Sequence, residues 1–145
     1  MTDPHTASAE TLSVDFMCSL SRDGYDELAF GVIELDRDFI VRNYNRPESL
    51  IARRRPEDTI GKSFFTEVAP CTDNAEFRGR IESLMQPDAS VSDVRFDFVF
   101  SFPWGQRSVR VRALRGNTNV CWVFVTPLRS LDVDDDVSQA GSSPG

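Results

Sequence analysis

Apolar positions recur at two periods along this chain, and the switches between them mark its elements. Residues 1–10 are small and polar and predict a loose start. In residues 11–20, Leu12, Phe16 and Leu20 stand four apart, the spacing of a helix face, and predict a small amphipathic helix able to cap a sheet. Residues 28–35 (LAFGVIEL) and 39–44 (FIVRNY) are β-rich runs joined by Asp36-Arg37-Asp38, a hairpin signal. Asn45 then offers a cap and Pro47 an early helical position. Residues 48–62 are polar, with Pro56 and Gly61, and read as short helical turns and loops. Phe77, Ile81, Leu84 and Met85 return to helical spacing, and Pro87 ends that helix.

Three strand-like segments follow, at 91–102, 107–114 and 120–125, with Gly116-Asn117 as the last turn. Phe96, Phe98, Phe100 and Phe102 fall on one face of the first by the period of two. Trp122 and Phe124 read as core on one face of the last, and Cys18 and Cys121 as packing residues. Two strands, a helical middle and three strands predict an α+β domain: a five-stranded antiparallel sheet with helices on one face and an N-terminal helical cap. The expected division is a cap over 1–27, a main domain over 28–128 and a disordered tail over 129–145, where Asp134, Asp135 and Asp136 cluster.

Composition narrows the function more than the fold. The 145 residues suffice for one domain with a real core. Eleven Phe against two Tyr make that core aromatic-rich. A net charge of −7 argues against nucleic acid and anionic membrane surfaces as partners. There is no secretory leader pattern and no run long enough for membrane insertion. Three widely spaced cysteines make a disulfide framework unexpected and favour a reducing cytoplasm.

The one histidine is His5, in the loose start, so the core can hold neither a Cys–His pair nor a Ser–His–Asp set. Zinc spacing and a glycine-rich phosphate loop are also missing, and the chain does not read as an enzyme. Cys71 follows Pro70 and precedes a predicted helix that Asp73 or Asn74 can cap. There the helix dipole would favour a thiolate suited to covalent attachment; the alternative is a small core cysteine. Tyr44 and Glu48, four apart, could converge on a phenol or phenolate, or could be a strand-end tyrosine and an exposed helix-start glutamate. Arg53, Arg54 and Arg55 read as a solvated face from which one guanidinium could cover a pocket.

The segment 64–77 (FFTEVAPCTDNAEF) closely resembles the chromophore-binding segment of the photoactive yellow proteins. The resemblance extends through 28–33, Tyr44-Asn45 and 60–62, resumes at 121–125, and spans roughly residues 16–128. It implies a PAS-type blue-light photoreceptor with p-coumaric (4-hydroxycinnamic) acid as a thioester on Cys71. It implies that Tyr44 and Glu48 hydrogen-bond the chromophore phenolate, that Arg54 shields it, and that Phe64, Val68, Thr72 and Phe100 line the pocket. Trans–cis isomerisation, proton transfer from Glu48 and partial unfolding of the cap would then signal to a downstream protein, from a monomer or weak dimer.

Ala52 departs from the pattern where a threonine would hydrogen-bond the tyrosine. Arg53 and Arg55 replace Gly and Asp, and Trp104 stands where methionine is frequent. These bear on spectral tuning and recovery. Competing readings are a PAS-type sensor or interaction module without covalent chromophore, and a thiol redox sensor centred on Cys71.

Overall fold

The computed structural model describes residues 6–117 and 119–128, so the tail and the first five residues lie outside the description. The N-terminal segment carries two helices, α1 Val14–Ser19 and α2 Arg22–Asp26. Ser13 and Ser21 cap them, each hydroxyl oxygen accepting from a backbone N–H at 3.1 Å. The helix expected over 11–20 is therefore shorter and is followed by a second. Leu12 lies outside it, and Met17 is the residue that α1 buries.

Strands β1 Gly31–Asp36 and β2 Val41–Tyr44 form the expected hairpin, beginning later than their apolar runs do. Helix α3 Arg46–Ala52 follows. The chain then makes a 3-10 turn at Pro56–Asp58, a π-helical turn at Phe64–Val68 and a 3-10 turn at Pro70–Thr72. Helix α4 Arg78–Leu84 leads into β3 Asp93–Phe102, β4 Gly105–Asn117 and β5 Val120–Pro127. The strands form one antiparallel sheet in the order β2-β1-β5-β4-β3.

Strand alternation sends side chains to both faces, and both are covered. On one face Ile33, Leu35, Phe100, Val109, Val111 and Val123 pack with Ile51, Phe64, Phe65, Phe77, Ile81 and Leu84. On the other, Val32, Leu114, Trp122 and Phe124 pack with Leu12, Met17, Tyr25, Leu28 and Phe30. β5 is thus core on both sides, which a one-faced reading of Trp122 and Phe124 understates: Cys121, Val123 and Val125 are equally buried opposite them. Cys121 is a packing residue, whereas Cys18 is exposed and is not. No helix among the described residues is long and apolar enough to cross a membrane.

Candidate functional site

Asn45 decides how the chain enters α3. Its Oδ1 accepts from Glu48 N at 3.1 Å, an N-cap bond, and from Val32 N at 2.8 Å. Tyr44, the last residue of β2, lies opposite Ile33, and Glu48 falls in the first turn of α3. Both are buried, Tyr44 to 5 % and Glu48 to 2 % exposure, so the exposed-glutamate reading is excluded.

Burial pushes the Glu48 carboxyl up to about 8, so it is protonated at neutral pH. Its Oε1 is buried without a hydrogen-bond partner among the described residues. Burial also raises the Tyr44 phenol; a charge on Glu48 raises it further, and Arg54 opposes. An orphan carboxyl oxygen is costly inside a protein, and a phenolic partner would satisfy it.

Gly31 makes this burial possible. A Cβ there would stand 2.1 Å from Glu48 Oε1 and 3.2 Å from its Cα. A glycine inside a strand pattern is itself the sequence signal of such a close approach.

Arg54 is half-buried and its Nη1 donates to Val68 O at 2.7 Å, tying the region after α3 to the π-helical turn. Arg53 instead takes left-handed backbone (φ 56°), is exposed, and lays its guanidinium 4.0 Å from the Trp104 ring centroid. Arg55 faces solvent and pairs with Asp58 at 3.1 Å. The arginine run is therefore split among three tasks.

Phe64, Val68 and Phe100 are buried in the same apolar cluster as Tyr44, with Cys71 packed against it. Thr72 is buried and its hydroxyl donates to Ala69 O at 2.7 Å. Cys71 sits in the Pro70–Thr72 turn, half-buried, with its Sγ accepting from Ser101 N at 3.5 Å. The expected helix start beside it is not there. Asn74 Oδ1 takes the Phe77 N–H at 2.9 Å, and α4 begins only at Arg78. Cys71 therefore does not stand just before a helix N-terminus, and the helix dipole expected there is absent. On its outer side Cys71 contributes to an open cleft of about 480 Å³ that also includes Asn74, Arg80, Phe98 and Ser101.

The sequence matches the PAS fold family over residues 25–118. It is 39 % identical over 104 residues to the photoactive yellow protein of Rhodothalassium salexigens, covering 69 % of this chain and 79 % of that one. The chain belongs to the photoactive yellow protein family. The photoactive yellow protein of Cereibacter sphaeroides is 37 % identical over 99 residues, covering 68 % and 78 % of the two chains. Among solved structures, the photoactive yellow protein domain of the sensor histidine kinase Ppr from Rhodospirillum centenum superposes with a TM-score of 0.71 at 36 % identity. That match covers 78 % of this chain and 98 % of that domain. Within this photoactive yellow protein family member, the buried Tyr44–Glu48 pair and the Cys71 turn meet the same apolar cluster, so the residues present fit a phenolic group anchored through a thiol.

Proposed function

We propose that this chain is a blue-light photoreceptor carrying p-coumaric acid as a thioester on Cys71. The observation that carries the reading is Glu48: fully buried, protonated at neutral pH, and with an oxygen lacking any partner among the described residues, beside a buried tyrosine. When bound, the group supplies blue absorption, trans–cis isomerisation and a phenolic oxygen.

Tyr44 and protonated Glu48 act as donors toward that oxygen, and Arg54 screens its charge from solvent. Phe64, Val68, Thr72 and Phe100 form the wall, and Cys71 supplies the sulfur. A Glu48 that loses its proton becomes a buried anion without a partner, a state costing several kcal/mol. Rearrangement relieves it, and the N-terminal cap is the part that gives way, exposing a surface for a downstream protein. The setting we propose is the cytoplasm, where Cys18 and Cys121 stay reduced and Cys71 is available as a thiol for attachment.

The test is to mix the full chain with activated p-coumaric acid, record the absorption spectrum and weigh the product. A visible band with one added group on Cys71, abolished in Cys71→Ser, is the expected result. A colourless product overturns the reading and leaves a PAS-type sensor without covalent chromophore; attachment at Cys18 or Cys121 overturns the assignment of Cys71.

A further inference from the structure

α3 carries Glu48 in its first turn and follows directly on Tyr44, so whatever fixes α3 fixes both side chains. Its N-terminal end is held firmly. Beyond its two accepted bonds, Asn45 donates through Nδ2 to Tyr25 O at 2.8 Å and to Phe30 O at 3.1 Å. The C-terminal end ends abruptly. Arg53 leaves the helix in left-handed backbone, and the N–H groups of Arg53 and Arg54 both return to Ser49 O. The carbonyls beyond Ser49 need donors from elsewhere.

One donor comes from the far side of the domain. Trp104 Nε1 donates to Ala52 O at 3.2 Å, across 52 residues of sequence. Trp104 lies in the β3–β4 turn, just before Gly105. Its ring stacks on Phe102 with centroids 5.0 Å apart and planes within 10°. The Arg53 guanidinium sits 4.0 Å from the same ring. The indole therefore joins three partners: a half-buried phenylalanine packed against the core, the left-handed cap residue of α3, and the last carbonyl of that helix.

We propose that Trp104 is a positioning residue, which anchors the C-terminal end of α3 to the β3–β4 turn and so fixes where Tyr44 and Glu48 point. The inference rests on reading Tyr44 and Glu48 as the site, but its test needs no pigment. A neutral hydrogen bond and a partly exposed cation–π contact together correspond to roughly a tenfold shift in a local opening equilibrium.

The experiment uses the full chain without pigment. Amide hydrogen exchange is followed at residues 49–55, with 78–84 as the control. The infrared C=O stretch of protonated Glu48, assigned by its loss in Glu48→Gln, reports the surroundings of that carboxyl. In Trp104→Ala, exchange at 49–55 rises roughly tenfold while 78–84 is unchanged, and the Glu48 stretch shifts. Trp104→Phe keeps a ring for Phe102 and Arg53 but loses the N–H, and Arg53→Gln keeps the N–H bond but loses the cation; both give smaller effects in the same direction.

Unchanged exchange with an unmoved Glu48 band overturns the proposal. So does exchange that rises equally at 78–84, which would reduce Trp104 to a general packing residue. If Trp104→Ala does not fold, the other two variants carry the same comparison. A chain that never takes up p-coumaric acid can still pass this test, so its failure and that of the photoreceptor reading are distinguishable.

Discussion

At the scale of single residues, Glu48 turns burial into a dependence on pH. A glutamate in the unfolded chain loses its proton near 4.5, whereas folding holds the proton on Glu48 up to about 8. Between those values unfolding releases a proton, so stability falls as pH rises. Below 4.5 both states are protonated and the penalty is absent; above 8 it is fully developed, at ~5 kcal/mol. The expected outcome is a urea midpoint that declines from pH 5 to pH 9 in the pigment-free chain and a much flatter profile in Glu48→Gln. Equal slopes in the two proteins would show that Glu48 does not hold the proton. Gly31 sets the same carboxyl in place by absence of a side chain. Gly31→Ala drives a methyl into Glu48 Oε1 and should cost ~1–3 kcal/mol, the range for overpacking. A methyl that pushes the carboxyl toward water should also remove part of the pH slope, which separates this variant from a substitution that merely strains β1.

At the scale of elements, the aromatic cluster fixes α4 against β3. Phe77, fully buried at the N-cap of α4, meets Phe96 at 5.3 Å, Phe98 at 5.0 Å and Phe100 at 5.9 Å between ring centroids. It also meets Phe64 and Phe65 of the π-helical turn. Phe77→Ala should therefore lower stability by ~3–5 kcal/mol, measured by denaturant unfolding, while Phe77→Leu should cost clearly less; similar losses in both would mean that the rings do not pack as one cluster. These same residues explain what was legible. Phe96, Phe98, Phe100 and Phe102 announced their common face because a period of two survives over ten residues. α2 was silent: five residues, RDGYD, show no period, and the helix exists because Ser21 caps it and Tyr25 buries its ring. The π-helical turn FFTEV was equally invisible, since its shape comes from backbone bonds such as Ala69 N to Phe64 O at 2.8 Å. α4 starts later than its sequence suggests because Asn74 caps a bend before the helix, not the helix itself. Tyr44, Glu48 and Cys71 stood out from spacing, local context and the family resemblance; that Glu48 is buried with its Oε1 lacking a partner among the described residues depends on Gly31 and the sheet beside it.

At the scale of the whole molecule, the sheet serves two cores, and a buried charge is part of the contact between sheet and cap. Arg112 of β4 is 5 % exposed and faces the cap. Its Nη1 donates to Ala9 O at 3.1 Å and to Leu12 O at 2.8 Å, while Nη2 meets Asp93 Oδ2 at 2.7 Å. The guanidinium also lies 5.6 Å from the Phe124 ring centroid. Beside it, Arg95 donates to Glu10 O at 2.7 Å and pairs with the Glu10 carboxylate at 3.1 Å. A second tether sits at the other end of the cap, where Tyr25 donates to Glu34 at 2.9 Å and accepts from Trp122 Nε1 at 3.0 Å. The two tethers are separate in sequence, so losing one should loosen the segment around it before the other. Arg112→Gln removes the charge paired with Asp93 and shortens the reach to both cap carbonyls. The expected cost is ~3 kcal/mol, at the low end for a broken buried pair because Asp93 keeps Arg95 at 3.3 Å. Asp93→Asn should cost less, since Arg112 retains its two carbonyl bonds. Amide exchange decides where the loss falls. Faster exchange at residues 8–20, with 22–28 and α4 protected, would mark Arg112 as the latch of the first helix, whereas uniform acceleration across the chain would mean that the cap and the sheet open together as one unit.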